Sequence, residues 1–127
     1  MENINKYGVI ALKSAKNFKG SYSIIEVWSR TSKVVFPNSK SSQEKSCPKN
    51  TFLGLCEEGL VKGIPKGNYT KSVKNKAYAL KTVKILKQEK GKTFTPLELW
   101  KKLALGDKRH NSQMDVVLAL WENDLID

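Results

Sequence analysis

A chain of 127 residues with a hydrophobic fraction of 39% has room for one domain and enough apolar residues for a core, which excludes wholesale disorder. Its formal net charge is +11, and 21 of its 23 basic residues are lysine, with only Arg30 and Arg109 as arginine. Such a charge attracts polyanions, while the shortage of arginine argues against sequence-specific reading of bases.

The elements follow one another as short helices, so the expected fold class is all-α: one compact bundle of about six helices forming a single domain over residues 1–127. The first helix is expected from about Asn3 to Phe18, where Ile4, Tyr7, Gly8, Ala11, Ala15 and Phe18 form one apolar stripe closed by Gly20. Ser23 and Glu26 have the spacing of a capping box and open a second helix. Its end, Val34-Val35-Phe36, has a short strand as its alternative, and Pro37 stops it in either case. Residues 38–46 hold Ser and Lys with no apolar side chain, so a flexible loop is expected there.

Cys47 and Pro48 open a third helix with Phe52, Leu55 and Cys56 inward and Gly59 as its stop. Gly63, Pro65 and Gly67 then force an irregular loop through Tyr69. The fourth helix, from Lys71 or Ser72 to Lys90, sets Tyr78, Ala79, Thr82, Val83, Ile85 and Leu86 opposite Lys74, Lys81, Lys84 and Lys87. Its wide apolar arc predicts a central helix with one lysine-coated side. Thr95-Pro96-Leu97-Glu98 is a second capping box, opening a short helix closed by Gly106. Asn111 or Ser112 caps the last helix, whose Met114, Val117, Leu118 and Trp121 share a face.

Two cysteines and one histidine do not supply the ligands of a structural or catalytic zinc site, and no HExxH pair is present. Neither a metal nor a cofactor is therefore expected, and no catalytic residue is assigned. Cys47 and Cys56, placed on one helix, stand roughly 13 Å apart, beyond disulfide reach. Reduced thiols, the lack of a visible signal peptide and the lack of any run of ~20 apolar residues predict a cytoplasmic protein without membrane association.

Two candidate sites emerge. The lysine row Lys74, Lys81, Lys84 and Lys87 is able to track phosphates, and residues 72–95 carry seven lysines against one acid. The same row reads as a plain solvated helix face. The glycine-rich loop after Cys47, with Lys62, Lys66 and Tyr69, is the second candidate, an anion or ligand site with Cys47 at a helix start. Its plain reading is punctuation between helices, and His110 is the one conceivable base for the thiol. Glu57 and Glu58, being adjacent, are expected to diverge and make a poor acid–base pair.

The last third, "KILKQEKGKTF", "TPLELWKKLAL" and "NSQMDVVLALWENDLI", resembles the tri-helical core of helix-turn-helix and winged-helix domains. That resemblance implies a recognition helix from Ser112, with Lys108, Arg109, His110, Asn111 and Gln113 at its reading end. From Cys47 onward, "CPKNTFLGLCEEGLVKGIPKGNYT", "KNKAYAL" and "HNSQMDVVLALW" resemble a family of small bacterial proteins known as a domain of unknown function. This likeness implies a bacterial cytosolic origin and supplies no activity. Three functions stay open. The first is nucleic-acid binding by largely nonspecific phosphate contact. The second is an adaptor that meets an acidic protein, and the third, less favoured, is an enzyme or small-ligand site at Cys47.

Overall fold

In the computed structural model, which describes residues 4–127, every expected helix is present. The order is α1 (Lys6–Asn17), α2 (Ile24–Val35), α3 (Lys40–Gln43), α4 (Ser46–Glu57), α5 (Val73–Gln88), α6 (Pro96–Lys102) and α7 (Gln113–Glu122). The fold is all-α. The start expected at Asn3 lies outside the described residues, and α1 is capped by Asn5, whose side chain accepts from the Gly8 amide at 2.9 Å. Among the described residues there is no strand. A single antiparallel bridge joins Val61 to Ile126, with Lys62 N–H donating to the Leu125 carbonyl at 2.9 Å. No helix among them is long and apolar enough to cross a membrane.

Local chemistry explains most boundaries. Thr95 and Glu98 form the full reciprocal capping box of α6. Ser23 accepts from the Glu26 amide, but the Glu26 carboxylate turns to Arg30 at 3.1 Å, so only half of the α2 box forms. Helix α2 continues through Val35, which removes the strand alternative for 34–36. Helix α4 begins at Ser46, so Cys47 is its second residue rather than its cap. The stretch expected as a bare loop at 38–46 contains the single turn α3, tied by polar groups: Gln43 Nε2 donates to the Phe36 carbonyl at 2.7 Å and Tyr7 Oη to the Ser42 carbonyl at 3.0 Å.

The centre of the bundle is α7, not α5. Met114, Val116, Val117, Leu118, Ala119 and Leu120 are all buried, and a helix apolar on every side belongs in the interior. Helices α1, α4, α5 and α6 pack around it. Gly8 permits the closest approach of α1: a Cβ there would stand 3.1 Å from Ala119 Cβ and 3.2 Å from the Asp115 carbonyl. Helix α5 lies against α4 and α7 and keeps its lysine row exposed. Trp28 stacks on Phe52 with ring centroids 5.0 Å apart, joining α2 to α4.

The glycine-rich segment is organised by Glu57. Its Oε1 accepts from the Tyr69 and Thr70 amides at 2.8 and 3.1 Å, and its Oε2 meets Lys76 Nζ at 2.5 Å. Glu58 reaches the same ammonium at 2.7 Å, so the two glutamates converge on Lys76 instead of diverging. The Lys76 hydrogen bond, with the Thr70 and Tyr69 amides, holds the Glu57 carboxyl down at about 2. A carboxyl depressed on folding stabilises in full above its ordinary value and loses that contribution as pH falls toward the folded one. The Glu57→Gln protein is therefore expected to have a lower urea midpoint at neutral pH, and its deficit against the wild type should shrink as pH falls below about 4. A deficit that stays constant on acidification would contradict this role.

A basic cleft as the candidate functional site

Three helix starts meet at one recess. Cys47 from the first turn of α4, Ser72 to Asn75 from the start of α5, and Gln113 from the start of α7 line a cleft of about 540 Å³. Lys71, Tyr78, Trp100, Lys108 and Arg109 complete the wall. Four of the lining side chains are cationic and none is acidic. The α5 start adds to this positive field, because the Val73 and Lys74 amides have no intrahelical acceptor and point outward from the helix end.

The frame behind the cations is rigidly bonded. Gln113 is only 3% exposed. Its Oε1 accepts from the Asn111 amide at 2.5 Å and its Nε2 donates to Asn75 Oδ1 at 3.3 Å, locking α7 to α5. Asn75 Nδ2 in turn donates to Ser72 Oγ at 3.0 Å. Trp100 Nε1 donates to the Lys108 carbonyl at 3.1 Å, which holds the segment carrying Lys108 and Arg109 over the bundle. The Trp100 indole is packed edge-on against Tyr78 at 5.5 Å and tilted against His110 at 5.2 Å.

His110 has a structural task. Its Nε2 accepts from the Met114 amide at 3.0 Å, taking the place of the side-chain cap that Ser112 does not supply. An imidazole accepting through Nε2 is neutral there, with its proton on Nδ1. Burial keeps His110 below the ordinary imidazole range, opposed by Asp115 with its carboxylate 3.8 Å away. Burial also lifts Asp115, against the pull of His110. His110 does not line the cleft with Cys47 and its basic nitrogen is occupied, so it is not the base for that thiol.

The sequence-predicted residues therefore regroup. Lys74 from the lysine row, Cys47 from the glycine-rich loop, and Lys108, Arg109 and Gln113 from the helix-turn-helix resemblance come together. Lys81, Lys84 and Lys87 do not join them. Lys81 Nζ donates to the Leu103 carbonyl at 3.3 Å and Lys87 Nζ to the Asp127 carbonyl at 2.6 Å. Lys84 is exposed further along α5. The anion loop separates from Cys47: Lys62 pairs with Asp124 at 3.3 Å, the Lys66 stem covers Gly59, and Tyr69 Oη donates to the Pro65 carbonyl at 2.7 Å. Lys71, Val73, Tyr78 and Trp100 were missed as site residues. The first two flank a legible helix start, whereas the aromatic pair carried only a core signal.

The helix-turn-helix picture does not survive the packing. With nearly every side of α7 buried, that helix has no face free to enter a groove. Gln113, placed at the reading end by that resemblance, has both ends of its amide bonded inside the protein. Among the described residues no group of three His, Cys, Asp or Glu side chains is placed to hold a metal ion.

Both cysteines are free thiols, Cys47 partly accessible and Cys56 fully buried. Burial pushes the Cys56 thiol far up, so it stays protonated. Maleimide is thus expected to modify one thiol of the folded protein, at Cys47, with the second reacting only in denaturant. Modification of both at equal rates in native buffer would show that the α4 packing is wrong.

No curated protein and no solved structure matches the chain. A family model does match residues 4–127, nearly the whole length, and the chain belongs to that family, a family of unknown function (DUF6979).

Proposed function

We propose that the protein binds nucleic acid by its phosphates in the basic cleft, without reading base sequence. The observation that carries this reading is the cleft itself: Lys71, Lys74, Lys108 and Arg109 gathered with no acidic side chain among the lining residues. Positive side chains around a recess with low-dielectric walls focus the field and draw in phosphate oxygens. A single arginine among the four cations suits contact with phosphates better than bidentate reading of guanine. The reading places the chain in a bacterial cytoplasm, where such a ligand is abundant and the two free thiols would remain reduced.

The test is anisotropy of a labelled single-stranded oligonucleotide across a salt series. Neutralisation of about four phosphates predicts a slope of log affinity against log salt of about −3 for a single strand. Absence of binding at low salt, or binding indifferent to salt, would refute the proposal. Binding of a purified acidic protein in preference to any oligonucleotide would refute it in favour of an adaptor role.

A further inference from the structure

We infer that the cleft takes the terminal phosphomonoester of a nucleotide, at a strand end or on a free mononucleotide, and not the interior of a duplex. This rests on the phosphate-binding reading above and narrows its ligand.

Shape is the first argument. The recess, about 540 Å³, is shallow and open to solvent, so it admits the end of a ligand without enclosing the whole of it. Duplex readers instead project a helix or ribbon outward into a groove. Here the helix nearest in role, α7, is enclosed by α1, α4, α5 and α6. The site is therefore concave where duplex recognition needs a convex element.

Charge is the second. Lys71 and Lys74 approach from the start of α5, and Lys108 and Arg109 approach from the segment before α7. Four formal charges around one recess are enough for a terminal monoester, about −1.5 to −2 near neutral pH, together with the diesters next to it, and they favour the monoester over the single charge of an internal diester. The Val73 and Lys74 amides are suited to donate hydrogen bonds to the same oxygens.

The third argument concerns what lies beside the phosphate. Val73, the first residue of α5, is 80% exposed between Lys71 and Lys74 on the cleft wall. Tyr78 lies about one and a half helical turns further along the same wall. An apolar side chain left open to solvent among cations offers a surface to a ribose or a base, which inorganic phosphate does not have.

Two readouts on the full chain test the inference. Direct binding compares a roughly 12-nucleotide DNA bearing a 5′-phosphate with the same strand ending in a 5′-hydroxyl. Maleimide labelling of Cys47, inside the cleft, reports small molecules: adenosine monophosphate, adenosine and inorganic phosphate. The phosphorylated strand is expected to bind about tenfold tighter than the hydroxyl strand, and adenosine monophosphate to slow Cys47 labelling where adenosine does not. Val73→Ser should weaken protection by adenosine monophosphate severalfold. If the phosphorylated strand exceeds the mononucleotide by about tenfold or more, the source is a strand end, and if the two are equal, it is a free nucleotide. Equal affinity for the phosphate and hydroxyl strands would overturn the inference while leaving salt-dependent binding intact. So would inorganic phosphate protecting as well as the nucleotide. Failure of every oligonucleotide to bind would instead remove the reading on which it rests.

Discussion

Reversing Lys108 and Arg109 together, as Lys108→Glu/Arg109→Glu, is expected to weaken oligonucleotide binding by on the order of 30-fold and to reduce the salt slope by about 1.5. Both side chains line the cleft, both are exposed, and the backbone that carries them is fastened to Trp100 through the Lys108 carbonyl. Neither side chain supports the core, so the fold should survive the change, as thermal unfolding can verify. The charge-matched control is Lys13→Glu/Lys33→Glu. These lysines are exposed on α1 and α2 and do not line the cleft. If attraction came from the total charge of +11 alone, the two double variants would lose equally. A local site predicts a large loss in the first and little in the second.

Gly54→Val is expected to cost about 3 kcal/mol, measured as a lower urea midpoint with an unchanged slope. At Gly54, helix α4 passes so close to α5 that a Cβ would stand 2.8 Å from Lys76 Cα and 2.9 Å from Lys76 Cβ. The first obstruction is backbone, so rotating a side chain cannot relieve it. The two helices would have to separate, and with them Glu57, Lys76 and the amides of Tyr69 and Thr70 that Glu57 gathers. The start of α5 borders both this crossing and the cleft, so any surviving Gly54→Val protein should also bind oligonucleotide more weakly. A stability within a few tenths of a kcal/mol of wild type would show that α4 and α5 are not in contact there.

The helices were legible because their ends carry local chemistry. Ser23, Ser72 and Thr95 each cap as side-chain oxygens do, and Gly59 and Gly91 take positive φ just past α4 and α5, whereas α6 stops ahead of its expected Gly106, at Leu103 and the left-handed Ala104. The central position of α7 was not legible. Its apolar residues were sufficient to show burial, but a wide arc on α5 competed for the same place, and the packing of α1, α4, α5 and α6 around α7 decides between them. Nor does adjacency on a helix reveal that Glu57 and Glu58 share Lys76, which belongs to a different helix.

The cleft was half visible. Lys74, Lys108 and Arg109 carry charge and stood out, yet their meeting with Cys47 and Lys71 depends on three helix starts that are distant in sequence. Lys81 and Lys74 share a helix face but lie about 10 Å apart along the axis, and so contribute to different parts of the surface. Gln113 shows the opposite case. A residue chosen as a reader proves to be the tie between α5 and α7 that holds the site in shape.

The most direct measurement is a titration of the ¹⁵N-labelled protein with a short 5′-phosphorylated oligonucleotide, followed through its backbone amide resonances. The account predicts that the largest shifts fall on Val73, Lys74, Lys108 and Arg109, with Lys81, Lys84 and Lys87 little changed. Shifts concentrated on those three lysines, or spread evenly over the exposed lysines of α1 and α2, would show that the cleft is not where phosphates bind.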